Sequence, residues 1–151
     1  MMRFALPSFL CRRPGILLAA LVLATAALPA AAQQAPAIGL ELNRLEPQQN
    51  GCRAWLMLRN PGETALETLR LDLVLFGRDG VVNRRLAVEA GPLPAAKTMA
   101  RVFDVPGLAC DGIGALLLND LLACGSDPAM RAGCVERIAT TSRVADVTFN
   151  K

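Results

Sequence analysis

The chain reads as an all-β protein, an immunoglobulin-like antiparallel β-sandwich of about seven strands behind a cleaved leader. Three observations predict this. Apolar and polar residues alternate with period two in several runs beyond residue 37. Turn signals rich in Gly, Pro, Asn and Asp punctuate those runs. Four cysteines remain once the leader is removed, an even number that suits a disulfide-braced exported domain.

The leader is residues 1–32. Arg3, Arg12 and Arg13 form a basic start, and Ile16 to Leu28 is a 13-residue apolar run broken only by Thr25. Pro29 ends it, and Ala30 and Ala32 satisfy the small-x-small rule for cleavage before Gln33. A membrane anchor is the alternative, but a spanning helix needs about 20 apolar residues. A lipid-anchored form needs a cysteine just after the run, and Cys11 precedes it. Arg12-Arg13 also admits the twin-arginine export route, although Pro14 and Gly15 follow where a polar residue and Phe are usual. With the leader gone the charge balance changes. Three of the 16 Lys and Arg are lost and none of the 13 Asp and Glu, which leaves 13 against 13. A neutral mature chain gives no electrostatic case for nucleic acid, or for a membrane surface after cleavage.

The elements follow in order. Residues 33–37 form a polar, flexible lead to a domain covering 38–151. Ile38, Leu40 and Leu42 alternate with Gly39, Glu41 and Asn43, a half-buried strand reaching Leu45; Glu46 to Gly51 reads as a polar loop. Cys52 to Arg59 alternates again and sets Trp55 on the side away from Leu56 and Leu58. Asn60-Pro61-Gly62-Glu63 is a turn. Leu69, Leu71, Leu73 and Leu75 alternate with Arg70, Asp72, Val74 and Phe76; the second side, carrying Asp72, is expected to be wet near its start. Asp79-Gly80 is a hairpin turn into a weaker strand, Val81 to Ala90, with Arg84-Arg85 read as solvated. Lys97 to Val105 is a strand closed by Pro106-Gly107. Gly112 to Cys124 is Leu-rich, which suits a helix, but Gly112, Gly114 and Asn119-Asp120 do not; we read a buried strand bent near Asn119. Gly125 to Gly133 is a loop, and Val135 to Val144 a last strand, with Val147 to Phe149 as an extension.

Leu58 to Val105 carries a distinctive order. Arg59-Asn60-Pro61 is followed by the Leu69–Phe76 alternation, Asp79-Gly80-Val81-Val82, and Leu93-Pro94 before a strand ending near Phe103. This stretch resembles the FxLYD-like immunoglobulin-type domains of exported bacterial proteins. The wider layout joins the leader, Gly51-Cys52, and Gly107-Leu108-Ala109-Cys110-Asp111 ahead of an apolar run ending in Ala123-Cys124. It resembles small alphaproteobacterial exported proteins with a twin-arginine-signal domain. The resemblance implies export and the sandwich; it implies no chemistry, and FxLYD domains do not need these four cysteines.

The residue inventory excludes much chemistry. There is no histidine, which removes Ser-His-Asp and Cys-His nucleophile pairs and the usual zinc enzymes. There is no phosphate-binding Gly loop and no C-x-x-C pair, and tyrosine is absent. The cysteines are separated by 57, 13 and 9 residues, none of them a zinc spacing. No cofactor or metal is expected. Asp104, Asp111 and Asp120 lie near strand ends and could act as acids, although turn and bulge roles are commoner there. Trp55, Asn119 and Asp120 are the candidate partner-binding residues.

Four cysteines allow three pairings. In the expected sandwich the second and sixth strands run the same way in facing sheets, so Cys52 and Cys110 share one end. A hairpin of the sixth and seventh strands sets Cys124 beside Cys134 at the other. The other pairings would have to span a strand length of about 20–30 Å, against about 7 Å for a disulfide's Cα separation. The expectation is therefore a non-enzymatic periplasmic module that binds or scaffolds an envelope protein or component. The alternative is a thiol-active protein using Cys124 and Cys134.

Overall fold

A computed structural model describes residues 37–127, 129 and 131–151. The leader and all but the last residue of the lead lie outside the described residues. Period-two alternation becomes eight strands: β1 (Ile38–Gln48), β2 (Gly51–Asn60), β3 (Leu69–Gly77), β4 (Val82–Glu89), β5 (Lys97–Pro106), β6 (Ile113–Cys124), β7 (Ile138–Ser142) and β8 (Thr148–Asn150). A 3₁₀ turn, Cys110–Gly112, precedes β6, and one helix, α1 (Arg131–Arg137), precedes β7. The strands form two four-stranded sheets, ordered β5-β2-β1-β7 and β4-β3-β6-β8. Their inner sides meet in one leucine-rich core. Leu40 and Leu42 of β1, Leu56 and Leu58 of β2, and Leu69, Leu71 and Leu73 of β3 are fully buried. The result is the all-β, immunoglobulin-like sandwich.

β1 is longer than its alternation suggests. It runs to Gln48, so Glu46 and Pro47 belong to the strand and only Gln49-Asn50 turn the chain. The extension holds because Glu46 faces Arg53 across the ladder and accepts the Trp55 indole N–H at 2.9 Å. Gly51, which opens β2, has φ 150°, and a Cβ there would collide with the Val105 carbonyl oxygen. Only glycine lets β2 and β5 approach so closely.

β6 settles the ambiguous Leu-rich run as a strand, with the irregularity near Asn119. Its register with β3 skips Leu122, Asn119 and Gly114. Each skipped residue is a bulge that reverses which side the next residue takes. Leu116, Leu118, Leu121 and Cys124 thereby all face inward, a set that no uniform period selects. At Gly114 a Cβ would lie 2.6 Å from the Gly77 carbonyl oxygen, so this bulge requires glycine.

The end of the chain departs from expectation. Residues 131–137 are helix, where a loop and the start of a strand were expected, and the strand begins only at Ile138. The buried residues there, Cys134 and Ile138, are four apart, the spacing of one helix face, whereas period two would put the charged Glu136 on the same side between them. Lys151 Nζ donates to the carbonyls of Val135, Glu136 and Ile138 and so caps α1. Nor do the sixth and seventh strands form a hairpin. β7 crosses to the first sheet and runs parallel to β1, while β8 returns to the second and runs parallel to β6.

The disulfides are nevertheless Cys52–Cys110 and Cys124–Cys134, with Cα separations of 4.9 and 6.4 Å. The first ties β2 of one sheet to the turn ahead of β6 in the other. The second anchors α1 to the end of β6, so Cys134 reaches its partner from a helix and not from a strand opening.

Two arginines share the inner side on adjoining outermost strands. Arg84 of β4 lies opposite buried Leu75, and Arg101 of β5 opposite buried Leu56. Arg101 donates to the carbonyls of Ala90 and Pro92, both at 3.1 Å, spanning the side of the sandwich.

Candidate functional site: the two outer faces

Each sheet turns one face outward, and these faces carry the polar chemistry. On β4-β3-β6-β8 the centre is Asp72. It is not wet, as β3 alternation suggests, but 2% exposed. Arg85 covers it with two hydrogen bonds of 2.7 Å, and Asn119 donates Nδ2–H to it at 2.6 Å. Arg85 is thus in mid-strand over a carboxylate and is not merely solvated. Its hydrogen bonds hold the Asp72 carboxyl below its ordinary value of 3.8, against the opposing effect of burial and with help from Asn119.

Directly across the ladder from Asp72 stands Asp120. Opposed like charges destabilise a sheet unless each is compensated. Asp120 has its own partners: Arg131 of α1 reaches Oδ2 at 3.0 Å, and the Leu121 N–H donates to Oδ1. Asn119 and Asp120 are therefore brought together, on the bulge that the alternation leaves unmatched.

Trp55 is elsewhere, half-buried on the outer face of β5-β2-β1-β7. The structure does not combine it with Asn119 and Asp120. It lies between Arg44 and Val102 on the neighbouring strands. Asp104 is on this face as well, held by Arg53 Nε at 2.7 Å and Nη2 at 3.2 Å, which lowers its carboxyl from the ordinary value. Glu41 accepts from Asn43 and from Arg143, both at 2.9 Å, and is likewise lowered, the Asn43 bond contributing most. A trough of about 490 Å³ runs along this face above Gly39, with Met57, Arg59, Thr98, Ala139 and Arg143 among its walls. Asp104 and Asp120 sit on opposite faces, and Asp111 lies in the turn before β6, so the three acids make no common site.

Among the described residues no group of three or more His, Cys, Asp or Glu could hold a metal ion. Nor is any described helix long and apolar enough to cross a membrane.

Sequence reasoning missed Asn60. It is 2% exposed: Oδ1 accepts from the Gly62 N–H at 3.1 Å, and Nδ2 donates to the carbonyls of Thr64 at 2.8 Å and Pro94 at 3.2 Å. This amide joins the β2–β3 connection to the β4–β5 connection. The only signal in the sequence was an Asn ahead of Pro-Gly, which also reads as an ordinary turn. No family model, curated protein or solved structure matches the chain.

Proposed function

We propose that the chain is an exported, non-enzymatic binding or scaffold module of the cell envelope, working in the periplasm. One observation carries the reading most: the carboxyls of Glu41, Asp72 and Asp104 are lowered, and each is held by partners within the fold. A histidine-free enzyme would need the reverse, a carboxyl raised by burial and free to exchange a proton. Here the ionisable groups build the faces of a rigid sandwich. The two disulfides fit an extracellular or periplasmic protein.

The thiol-active alternative is less well supported, because Cys124 and Cys134 are each 3% exposed and bonded to one another. Attack by an external thiolate needs access to a sulfur. Crosslinking in intact envelopes, with the protein as bait, tests the module reading: a discrete partner recovered in stoichiometric amount is expected. A preparation that reduces or isomerises disulfides catalytically and recovers no partner would replace the module with the redox reading.

A further inference from the structure

The outer face of β5-β2-β1-β7 has an uneven charge balance. Its three carboxylates, Glu41, Glu46 and Asp104, already accept from Arg143 and Asn43, from Trp55, and from Arg53. Two of its arginines, Arg44 and Arg59, are exposed and have no partner among the described residues. Arg44 pairs in register with Trp55, and Arg59 lies four residues further along β2. At a strand's rise the two sit about 14 Å apart along the sheet. Between them lie the half-buried Trp55 and Met57, flanked on β5 by exposed Ala100 and by Val102, itself 44% exposed. The trough above Gly39 opens beside Met57 and Arg59.

We propose that this face is a docking surface for an extended acidic protein segment with two carboxylates four residues apart and an apolar side chain between them. The carboxylates take Arg44 and Arg59, and the apolar residue lies over Trp55 and Met57. Charge complementarity selects the occupant: the face has cations to offer and no carboxylate without a donor. An apolar floor between the cations suits a polypeptide better than a uniformly polar polyanion. The other outer face exposes Val82 at 57%, with Val81 at 62% just ahead of β4, but its charges balance: Asp72 and Asp120 are matched by Arg85 and Arg131, and Glu89 stands opposite Arg70 in register. Nothing there specifies an occupant. The proposal rests on the binding-module reading and gives it a surface and a partner chemistry.

Trp55 is the only tryptophan and therefore reports from within the surface. The purified protein is titrated at low ionic strength with acetyl-Gly-Glu-Ser-Val-Ser-Glu-Gly-amide while its emission is followed. The same peptide with both Glu replaced by Lys, and phosphatidylglycerol vesicles, serve as comparisons. A saturable emission change with the acidic peptide alone is expected. It should weaken at least tenfold in the Arg44→Gln/Arg59→Gln protein, whose melting temperature should be unchanged, and should persist in Val81→Ser/Val82→Ser. An equal response to the lysine peptide, a stronger one to vesicles, no response, or insensitivity to the arginine changes overturns the proposal. In envelope crosslinking, a partner recovered equally by wild type and the double arginine variant removes this face and leaves the module reading standing. Loss of recovery in the variant supports the face, whereas recovery by neither protein counts against the module itself.

Discussion

At the scale of single residues, Asp72 and Asn60 show two ways of placing a polar group where water does not reach. Asp72 lies under a guanidinium whose own side chain remains 65% exposed, so the charge is neutralised from the solvent side. The pH consequence follows from the lowered carboxyl. The folded state binds a proton less readily than the unfolded chain, so Asp72 contributes stability in full above its ordinary value of 3.8. That contribution fades as pH falls below this value and is lost once pH has passed the folded value. We expect chemical denaturation of wild type and Asp72→Asn to show a gap at pH 7 that closes as the pH is taken below 3.8. A gap that widens on acidification would mean the carboxyl is raised, not lowered. Asn60 has no charge to balance; its amide meets backbone groups of the two connections that backbone hydrogen bonds between Leu66 and Leu93 and from Ala96 to Gly62 also join. Asn60→Ala leaves those groups buried without a partner and should cost about 2–3 kcal/mol, read as a lower urea midpoint at unchanged slope.

At the scale of elements, legibility in the sequence depended on how regular each strand is. β2 keeps period two from end to end and β3 keeps it except at Asp72, so their extents and their buried apolar residues follow from alternation, whereas the burial of Asp72 does not. β6 carries three bulges, and each breaks the pattern that a reader of periods needs. Its glycines and Asn119-Asp120 marked the place of irregularity without stating its form. α1 was hidden for another reason: seven residues provide barely two turns, and Gly133 lowers the helical propensity of a segment held by Cys134 and by the Lys151 cap. Neither the Trp55–Glu46 bond nor the carboxylate pair across β3 and β6 was readable, because both depend on register between strands. The bulge at Gly114 gives a direct test. Gly114→Ala places a methyl against the backbone of Gly77 and Arg78, and should destabilise the protein by about 1–3 kcal/mol in thermal melts. Gly133→Ala, which meets nothing within 4 Å, should be neutral or mildly stabilising.

At the scale of the whole molecule, the disulfides divide the work unequally. Cys52–Cys110 closes a separation of 58 residues and joins the two sheets; Cys124–Cys134 closes 10 and holds only α1. On chain entropy alone the first contributes about 4 kcal/mol and the second about 3. Removing Cys52 and Cys110 together should therefore lower the melting temperature more than removing Cys124 and Cys134. Equal losses would show that α1 is as integral to the sandwich as the link between sheets. The first pairing was legible because it required only that β2 and β6 run the same way in facing sheets; the second was reached through a hairpin that does not form, and it holds because α1 follows β6 closely enough to bring Cys134 to Cys124.

The inward arginines of β4 and β5 bear on how this molecule behaves among its own copies. An open sheet margin is a template onto which an identical margin can add, and addition without closure yields fibres. Arg84 and Arg101 lie at two such margins on the same flank of the sandwich. A second molecule hydrogen-bonding there would enclose their guanidiniums and remove the water they retain, a penalty that falls on polymerisation and not on folding. Arg84→Leu/Arg101→Leu should accordingly give a protein that still folds but loses its resistance to self-assembly. Thioflavin binding and light scattering should rise with time in concentrated solutions that leave the parent protein clear.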